Sequence, residues 1–300
     1  MKNRLIVFLI SFILVFFVLG AIEIYSIPLP MPPNAVMLGV IGDFGRPNLS
    51  AASVARLVNS WEVEAVITVG DNNYPVGGAD TYWRNVILPY GKWIRQEKYF
   101  PALGNHDWGY PWDAGWEADE IPQFDFITYL EDYPPAQGRY YDVVFGDNLI
   151  HAFILDSDAR EPDGRSTDSI QGRWFKKQIE GSTAEYNIVF MHEPPYSSCI
   201  FGSNQTLAWP FKEWGADVVI AGHCHNYERL EINGFPYIIN GLGGANDISS
   251  FDQVRPDSLV RYLDSHGAIL IEANSDRMEI YFITIFGQVI DNLTIFGISP

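Results

Sequence analysis

Short apolar runs that lead into a polar residue recur along the first half of the chain. Residues 35 to 42 (AVMLGVIG) and 63 to 70 (VEAVITVG) each end in glycine and are followed by aspartate, and residues 49 to 61 between them have the apolar spacing of a helix. Strand, helix and strand in this order are typical of a parallel α/β unit. We expect a second helix near 79 to 97 and another strand-like run that ends in polar residues at 99 to 107.

The second half of the chain is richer in β-forming residues. Residues 139 to 158 contain two such runs around Gly146 and Asp147, which predicts a hairpin. We also expect a helix at 168 to 180, strands at 185 to 193 and 216 to 225, and three strands between 266 and 296. Together these elements predict an α/β fold of the sandwich (α+β) type, with two mixed β-sheets flanked by helices.

The N-terminus carries a long apolar run with no polar face. Lys2 and Arg4 precede the run, which extends from Leu5 to Ile22. It is longer than a typical signal-peptide core and just long enough to cross a bilayer, so it is either cleaved after Gly20 or retained as a membrane anchor. A buried soluble helix is the weakest alternative. The two basic residues should stay inside the cell, which predicts export of everything after the run.

Three segments follow from this division. Residues 1 to 26 are a signal peptide or N-terminal membrane anchor, residues 27 to 34 (IPLPMPPN) are a stiff proline-rich tether, and residues 35 to 300 are one exported domain. No repeat, low-complexity linker or second composition shift interrupts the last segment. We therefore expect a secreted, periplasmic or membrane-anchored protein whose domain lies outside the cytoplasm.

The chain is strongly acidic. Its 300 residues include 37 acidic and 19 basic side chains, which gives a formal charge of -18. This balance argues against general electrostatic binding of nucleic acid or of an anionic membrane. We expect no nucleic-acid-binding surface, and membrane contact only through the N-terminal apolar run. An anionic substrate would need local positive charge, for which bound cations are the obvious source.

The segment AGHCHNYER contains two histidines one residue apart. If this run continues a strand, His223 and His225 point to the same side and Cys224 points away into packing. The alternative is one hydrogen-bonded turn histidine and one solvated histidine. An exported protein permits a disulfide between Cys199 and Cys224, but the sequence leaves open whether these two residues pair.

Five polar clusters directly follow strand-like runs: GDFG, GDNNY, GNHD, MHE and GHCH. Their candidate residues are Asp43, Asp71, Tyr74, Asn105, His106, Asp107, His192, His223 and His225. Open α/β sheets bind ligands beyond the carboxyl ends of their strands, so the five clusters are expected to converge on one edge. A single Gly-Asp after a strand is commonly only a turn, whereas five such clusters in register indicate a site.

The chemistry of these side chains suits a pair of metal ions. Carboxylate, imidazole, amide and phenol groups form an oxygen and nitrogen donor set that fits zinc, manganese or iron, and the absence of clustered thiols argues against a cysteine-only structural zinc site. Two ions roughly 3.5 to 4 Å apart need a ligand that bridges them, and a carboxylate with two oxygens can do so. Asp71, central in order and type, is the predicted bridge.

These blocks resemble those of the calcineurin-like metallophosphoesterases. The phenol in GDNNY, together with VFMH and GHCHNYER, resembles in particular the purple acid phosphatases of the small, single-domain, tartrate-resistant type, and the resemblance covers roughly residues 36 to 295. It implies two neighbouring sites: Asp43, Tyr74 and His225 around ferric iron, and Asn105, His192 and His223 around divalent iron, zinc or manganese, with Asp71 as the bridge. A trivalent cation would favour the deprotonated phenol of Tyr74, since the pKa of a phenol in water is ~10.

The reaction implied by the resemblance is hydrolysis of a small phosphorylated substrate by a water that the ions make acidic. His106 lies beside a predicted ligand without being one, so we expect it to contact the phosphate and to protonate or stabilise the leaving group. Asp107 is predicted to orient His106, with a helix cap or turn residue as the alternative. Both residues are therefore candidate catalytic residues.

The chain departs from the family pattern at three positions. Relatives often carry a second histidine after the PPYSS loop, where this chain has Phe201, so the resemblance does not extend to a second substrate-side imidazole. Glu193 stands where many relatives carry a neutral or basic residue, and its carboxylate would weaken phosphate binding if it faced the site. Cys224 replaces a common acidic residue and is interpreted as packing.

We expect an acid phosphomonoesterase. A phosphodiesterase or nucleotide hydrolase on the same metal core is the alternative, because substrate choice depends on loops such as 109 to 138 and 196 to 208. The first of these loops is rich in aromatic and acidic residues and is expected mainly to pack the rim. A catalytically silent surface-binding protein is the third hypothesis, which the presence of all seven ligands disfavours.

Overall fold

The computed structural model describes residues 35–109 and 138–297. The predicted leader at 1 to 26 and the tether at 27 to 34 lie outside these ranges, as does almost all of the loop at 109 to 138. Within the described ranges, no helix is both long enough and apolar enough to cross a bilayer.

The strands of the described residues form two sheets. In chain order the strands are β1 (Val36–Ile41), β2 (Ala65–Val69), β3 (Tyr99–Ala102), β4 (Tyr141–Phe145), β5 (Ile150–Ile154), β6 (Tyr186–Phe190), β7 (Val218–Ala221), β8 (Tyr227–Ile232), β9 (Phe235–Asn240), β10 (Ser258–Tyr262), β11 (Gly267–Ala273), β12 (Arg277–Thr284) and β13 (Val289–Phe296). One sheet has six strands in the order β13-β12-β11-β1-β2-β3, and the other has seven in the order β10-β8-β9-β7-β6-β5-β4.

Both sheets are mixed. In the six-stranded sheet β1, β2 and β3 run parallel, and β11 pairs with β1 in the antiparallel direction. In the seven-stranded sheet β5, β6, β7 and β9 run parallel, while β4 and β8 are antiparallel to their neighbours. The parallel strands are short and buried along nearly their whole length, as expected for strands covered on both faces.

Helices cover the outer faces of the sheets. They are α1 (Leu49–Ser60), α2 (Ala79–Tyr82), a π-helical turn (Trp83–Ile87), α3 (Leu88–Arg95), α4 (Ile170–Glu180), a 3-10 turn (Gln205–Leu207) and α5 (Phe211–Trp214). The two longest helices are capped by side chains: Asn48 accepts a hydrogen bond from the backbone of Ala51, and Ser169 accepts one from Gly172. Such caps satisfy backbone N–H groups at the first turn.

Apolar side chains fill three layers of core. The first lies between the two sheets and includes Ile67 from one sheet and Ile188 from the other. The second joins α1 and the 79–95 helical segment to the six-stranded sheet, and the third joins α4 and α5 to the seven-stranded sheet. The layers therefore follow the order helix, sheet, sheet, helix.

The predicted fold class is confirmed, including the hairpin at 139 to 158, which forms β4 and β5. Two differences stand out. The single helix expected at 79 to 97 is interrupted by a π-helical turn, in which the N–H of Leu88 bonds the oxygen of Trp83. Pro89 follows directly. Its backbone nitrogen carries no hydrogen, so it cannot donate the hydrogen bond that a continuous α-helix requires. Residues 227 to 262, for which the apolar pattern predicts no element, form β8, β9 and β10.

Candidate metal centre

The predicted ligand residues lie beyond the carboxyl ends of strands from both sheets. Those that follow the six-stranded sheet are Asp43 after β1, Asp71 and Tyr74 after β2, and Asn105 after β3. Those that follow the seven-stranded sheet are His192 after β6, and His223 and His225 after β7. The candidate centre therefore lies where the two sheets meet.

One group of ligand atoms surrounds the Tyr74 hydroxyl. Asp43, Asp71 and His225 are buried and offer donor atoms that all lie within 4.8 Å of one another. The hydroxyl of Tyr74 is 2.8 Å from Oδ2 of Asp71, 3.2 Å from Nε2 of His225 and 3.4 Å from Oδ1 of Asp43. Two carboxylates, an imidazole and a phenol thus converge on one small volume, which fits a hard, highly charged cation.

A second group of ligand atoms lies on the other side of Asp71. Oδ1 of Asn105 is 3.0 Å from Nε2 of His192 and 3.0 Å from Nδ1 of His223, and these two nitrogens are 3.2 Å apart. Nε2 of His192 is 3.4 Å from Oδ1 of Asp71. Because Asp71 directs Oδ2 to the first group and Oδ1 to the second, its carboxylate has the geometry of a bridge.

Backbone oxygens orient two of the imidazoles. Nδ1 of His192 is 2.8 Å from the oxygen of Val69, and Nδ1 of His225 is 2.6 Å from the oxygen of Asp247. A hydrogen bond at Nδ1 assigns the proton to that nitrogen and leaves the Nε2 lone pair facing the ligand groups. This arrangement, common around metal-binding histidines, shows that the residues present fit metal ions.

Burial and neighbouring charges shift the pKa values of the residues at the centre. Burial alone would raise the pKa of Asp71, but the neighbouring His192 and His106 hold it well below the ordinary range. Burial and the charges of Asp71 and Asp43 raise the pKa of Tyr74 well above its usual value. A phenolate at this position therefore needs a cation to compensate the carboxylates.

The pKa values of His225 and His223, one imidazole from each group, shift in opposite directions. Burial opposes charge on His225, but the hydrogen bond and charge of Asp43 outweigh it and raise the pKa of His225 to about 9. Burial and the nearby His192 lower the pKa of His223 to about 4. His223 is thus neutral at physiological pH, the form in which an imidazole binds a metal ion.

Three candidate ligands adopt left-handed backbone conformations. The φ angles of Asp43, Asp71 and His223 are 56°, 54° and 68°. Such values are uncommon outside glycine and cluster at functional sites. They also correct the argument made for GHCH: β7 ends at Ala221, so the two histidines lie in a turn and not on one side of a strand. They meet different ligand groups because the turn separates them.

Glycines next to the ligands leave room for other ligands. A Cβ atom on Gly70, whose φ is 93°, would lie 2.4 Å from Nδ1 of His192. A Cβ atom on Gly104 would lie 2.3 Å from Oδ1 of Asp71. Gly70 is therefore required by the close approach of a histidine from the other sheet, and Gly104 by the close approach of the loop after β2 in the same sheet.

His106 faces the ligand groups from the loop after β3. Its Nδ1 is 2.6 Å from the backbone oxygen of Pro75, and its Nε2 is 3.9 Å from Oδ2 of Asp71. Its ring lies against the Tyr74 ring, with centroids 4.2 Å apart. His106, which is predicted to protonate or stabilise the leaving group, therefore directs Nε2 toward the centre, where it can exchange a proton.

The Asp107 carboxylate binds the backbone of neighbouring loops. It accepts hydrogen bonds from the N–H groups of Asn72, Asn73 and Gly104 at 2.9 to 3.1 Å, and from the side-chain amide of Asn72 at 2.7 Å. Burial and the charge of Asp71 raise its pKa to about 6, although these hydrogen bonds act in the opposite direction. These contacts match the alternative of a turn residue, because Asp107 joins the GDNNY and GNHD loops. Nδ1 of His106 is bonded by the backbone oxygen of Pro75 and not by Asp107.

Arg160 is a residue of the site that the sequence did not reveal. Its guanidinium donates to the backbone oxygens of Asn105, Trp108 and Gly109 at 3.0 to 3.1 Å. The Asp158 carboxylate holds the same guanidinium at 2.7 and 2.8 Å. This pair fixes the loop that carries Asn105 and His106. No motif signals the interaction, because the bonds run to backbone atoms.

The loop after PPYSS approaches the second ligand group. Cys199 and Cys224, whose pairing the sequence left open, form a disulfide. This bond joins the loop to the turn that carries the two histidines. Cys224 is also fully buried in the outer core, as the packing interpretation expected. The exposed ring of Phe201 lies 4.9 Å from the His223 ring.

Glu193 does not face the centre as a free carboxylate. Its carboxylate is 3.0 Å from Nη1 of Arg165 and 2.5 Å from the side-chain amide of Asn204. Pairing with Arg165 offsets its charge, so the expected penalty on phosphate binding is reduced.

Residues 37–227, more than half of the chain, match the family model described as calcineurin-like phosphoesterase. The chain belongs to this family. Its fold and its donor set agree in defining a metal-dependent phosphoesterase.

Similar proteins within the family are purple acid phosphatases. The chain is 27% identical over 231 residues to the Fe(3+)-Zn(2+) purple acid phosphatase 12 of Arabidopsis thaliana, a match that covers 70% of this chain and 47% of that protein. It is 22% identical to tartrate-resistant acid phosphatase type 5 of Mus musculus, over 90% of this chain and 94% of that protein.

A solved purple acid phosphatase has the same fold. The enzyme PPD1 from yellow lupin (Lupinus luteus) seeds gives a TM-score of 0.66 at 18% identity, over 90% of this chain and 55% of that one. The chain thus spans about half the length of these two plant relatives.

Proposed function

We propose that this protein is an acid phosphatase that hydrolyses phosphate monoesters with two metal ions. The first would be ferric iron held by Asp43, Tyr74 and His225, and the second divalent iron, zinc or manganese held by Asn105, His192 and His223, with Asp71 as the bridge. The observation that carries the proposal is the Tyr74 hydroxyl, 2.8 Å from Asp71 and 3.2 Å from His225. A phenol among buried carboxylates ionises only beside a strong positive charge, which a trivalent ion supplies.

The two ions, once bound, would neutralise phosphate oxygens and make a water acidic enough to attack phosphorus. The chain's own residues supply the remaining parts. With Nδ1 bonded to Pro75, His106 directs Nε2 toward the ligand groups, from where it would carry a proton to the departing alcohol. Arg46, whose guanidinium lies 4.4 Å from the centroid of the Tyr74 ring, adds a fixed positive charge beside the first ligand group.

The proposed substrate is a small phosphorylated molecule, and the proposed location is outside the cytoplasm. The formal charge of -18 disfavours large polyanions such as nucleic acids. The Cys199–Cys224 disulfide supports export, since such bonds persist mainly in oxidising compartments.

The test compares hydrolysis of a chromogenic phosphomonoester and its matched phosphodiester by the full chain, across acidic and neutral pH, with iron and zinc supplied or chelated. A metal-dependent rate that is highest at acidic pH and favours the monoester is the expected result. A preference for the diester near neutral pH would make the protein a phosphodiesterase. No turnover of either ester would favour a silent binding protein.

A variant pair tests the role of His106. We expect His106→Ala to lower kcat about 100-fold or more while both metals remain bound, because the leaving group loses its proton donor. His151→Ala is the control: His151 lies in β5 and bonds Asp142 and Ser182, outside the ligand groups. Wild-type turnover by His106→Ala would reject the assignment.

A further inference from the structure

Two neighbouring helical segments carry basic residues but no acidic ones. Residues 49–60 and 83–96 contain Arg56, Arg84, Lys92 and Arg95, and neither segment contains aspartate or glutamate. The whole chain has 37 acidic and 19 basic residues. Positive charge is therefore concentrated on these segments, in contrast to the rest of the protein.

The two segments form one surface. The side-chain amide of Asn59 in α1 donates to the oxygen of Pro89 at 3.1 Å and accepts from the indole of Trp93 at 2.8 Å. Nζ of Lys92 lies 3.3 Å from the oxygen of Asn59. We call this surface, formed by residues 49–60 and 83–96, the helical face.

The helical face also exposes large apolar side chains. Leu49, Leu88 and Trp83 are 86%, 71% and 68% exposed, and they are three of the five most exposed large hydrophobic residues in the described ranges. The other two, Phe286 and Phe296, lie at the β12–β13 turn and at the end of β13. Apolar and basic side chains thus occur together on the helical face.

A cavity of about 590 Å³ opens between the two segments. Phe44, Ala55 and Tyr90 are among its apolar lining residues, and Arg46, Arg56 and Arg84 also line it. Nε of Arg46 is buried without a hydrogen-bond partner among the described residues, and its guanidinium meets Asp247 only at 3.9 Å. The volume falls in the range of small-ligand sites, and the lining combines an apolar interior with cations.

We propose that the helical face docks on an anionic phospholipid membrane. Leu49, Trp83 and Leu88 would enter the interface, and Arg56 and Arg84 would meet lipid phosphates. Exposed leucine and tryptophan beside arginine and lysine are the combination that binds helices to anionic bilayers, since the apolar groups leave water while the cations pair with headgroups. A cavity with an apolar interior and arginines in its lining also suits a phospholipid, which has an acyl chain and an anionic head.

The predicted arrangement of the chain brings a bilayer within reach. The apolar run from Leu5 to Ile22 is long enough to span a membrane, and only the short tether expected at residues 27 to 34 separates it in sequence from the exported domain. The proposal adds a second membrane contact to the one expected at the N-terminus. The net charge of -18 opposes approach to an anionic bilayer, so docking requires that the positive charge of the two segments, which contain no acidic residue, outweigh this repulsion at contact distance.

The experiment places a fluorescent probe on the helical face of the full chain, reconstituted in vesicles. Leu88→Cys carries an environment-sensitive fluorophore. Phe286→Cys, at a similarly exposed position outside the two segments, carries the same probe as the control. Labelling is selective because the two native cysteines are bonded to each other. The vesicles contain phosphatidylcholine alone or phosphatidylcholine with phosphatidylglycerol, each with acyl-chain nitroxide lipids that quench a docked probe.

We expect quenching at position 88 with phosphatidylglycerol, little with phosphatidylcholine alone, and little at position 286 with either. Adding Arg56→Glu and Arg84→Glu should lower the quenching at position 88 about tenfold, while circular dichroism stays unchanged. Equal quenching at the two positions, or no effect of phosphatidylglycerol or of the two charge reversals, would overturn the proposal. Neither result depends on whether the centre hydrolyses phosphate esters.

Discussion

Arg160 donates a hydrogen bond of 3.1 Å to the backbone oxygen of Asn105, although 55 residues separate them in sequence. The same guanidinium bonds Trp108 and Gly109, and Asp158 holds it from the other side. The loop that carries Asn105 and His106 thus depends on a side chain that bonds only the backbone of this loop and none of the candidate ligand atoms.

Arg160→Lys should weaken binding of the second metal. Lysine keeps the charge but cannot bond three backbone oxygens and a carboxylate through one planar group. We expect the affinity for the second ion to fall about tenfold or more, as is common when the support of a ligand is lost, with the first site less affected. Metal titration measures both affinities. Arg173→Lys, an exposed substitution in α4, is the matched control, and equal affinities in the two variants would contradict the assigned role.

Tyr74→Phe should remove the visible absorption expected of a ferric phenolate. Phenylalanine keeps the ring that packs on His106 and beneath Arg46, so the fold should persist while the phenol oxygen is lost. Absorption spectra and metal analysis of the iron-loaded protein test this. Tyr90→Phe, which deletes the hydroxyl of another buried tyrosine, should leave the spectrum unchanged. A coloured Tyr74→Phe protein would assign the chromophore to another residue.

Gly70→Ala should lower the free energy of unfolding by more than the left-handed backbone conformation of residue 70 alone explains. The matched control is Gly215→Ala, because Gly215 has a similar φ of 105° but open space around it, whereas a Cβ on Gly70 meets His192. We expect roughly 1 to 2 kcal/mol of destabilisation for the control, the usual cost of a left-handed alanine. Gly70→Ala should lose more stability and also second-site metal. Urea denaturation and metal analysis measure the two effects, and equal losses would show that His192 moves aside freely.

Asp217 should make the protein less stable as pH rises through the weakly acidic range. Burial raises its pKa from 3.8 to about 6, in spite of the hydrogen bond from the N–H of Asn187. The folded state therefore binds this proton more tightly than the unfolded state, so the contribution of Asp217 to stability is fully present below about pH 4 and is lost as pH rises from about 4 to 6.

Asp217→Asn should remove this contribution, on the order of 2 kcal/mol, because an amide oxygen can still accept the bond from Asn187 and does not ionise. Urea denaturation at both ends of the pH range measures the change. Asp80→Asn alters the net charge equally at an exposed position and serves as the control. An unchanged pH slope in Asp217→Asn would show that the carboxyl is solvated.

The strand ends were predictable because burial leaves a clear pattern in the sequence. β1 and β2 are apolar along almost their whole length, so the polar residues that follow, Asp43 and Asp71, mark the edge of the sheet. By contrast, β8 carries Glu228, Arg229 and Glu231 within six residues, which conceals its strand character. β8 lies between β10 and β9, and its charged residues, which include the buried Glu228, interrupt the apolar pattern from which a strand is predicted.

The details of the site could not be read from the sequence because they depend on contacts across the fold. The left-handed turn at His223 is held by a hydrogen bond from its N–H to Asp43, 180 residues away. The bonds of Arg160 run to backbone oxygens, which carry no residue identity. The pairing of Cys199 with Cys224 likewise could not be predicted without knowing where the loop after PPYSS lies in the fold.

The pairing of β1 has a consequence for the order in which the protein matures. β1, which leads to Asp43, lies between β2 and β11, so one of its neighbours comes from residues 267–273 near the end of the chain. A nascent chain cannot complete the central part of this sheet, or bring Asp43 to His223 and His225, until most of its length has been synthesised. Metal loading is therefore a late event, and the ions must be supplied in the compartment where the finished chain folds.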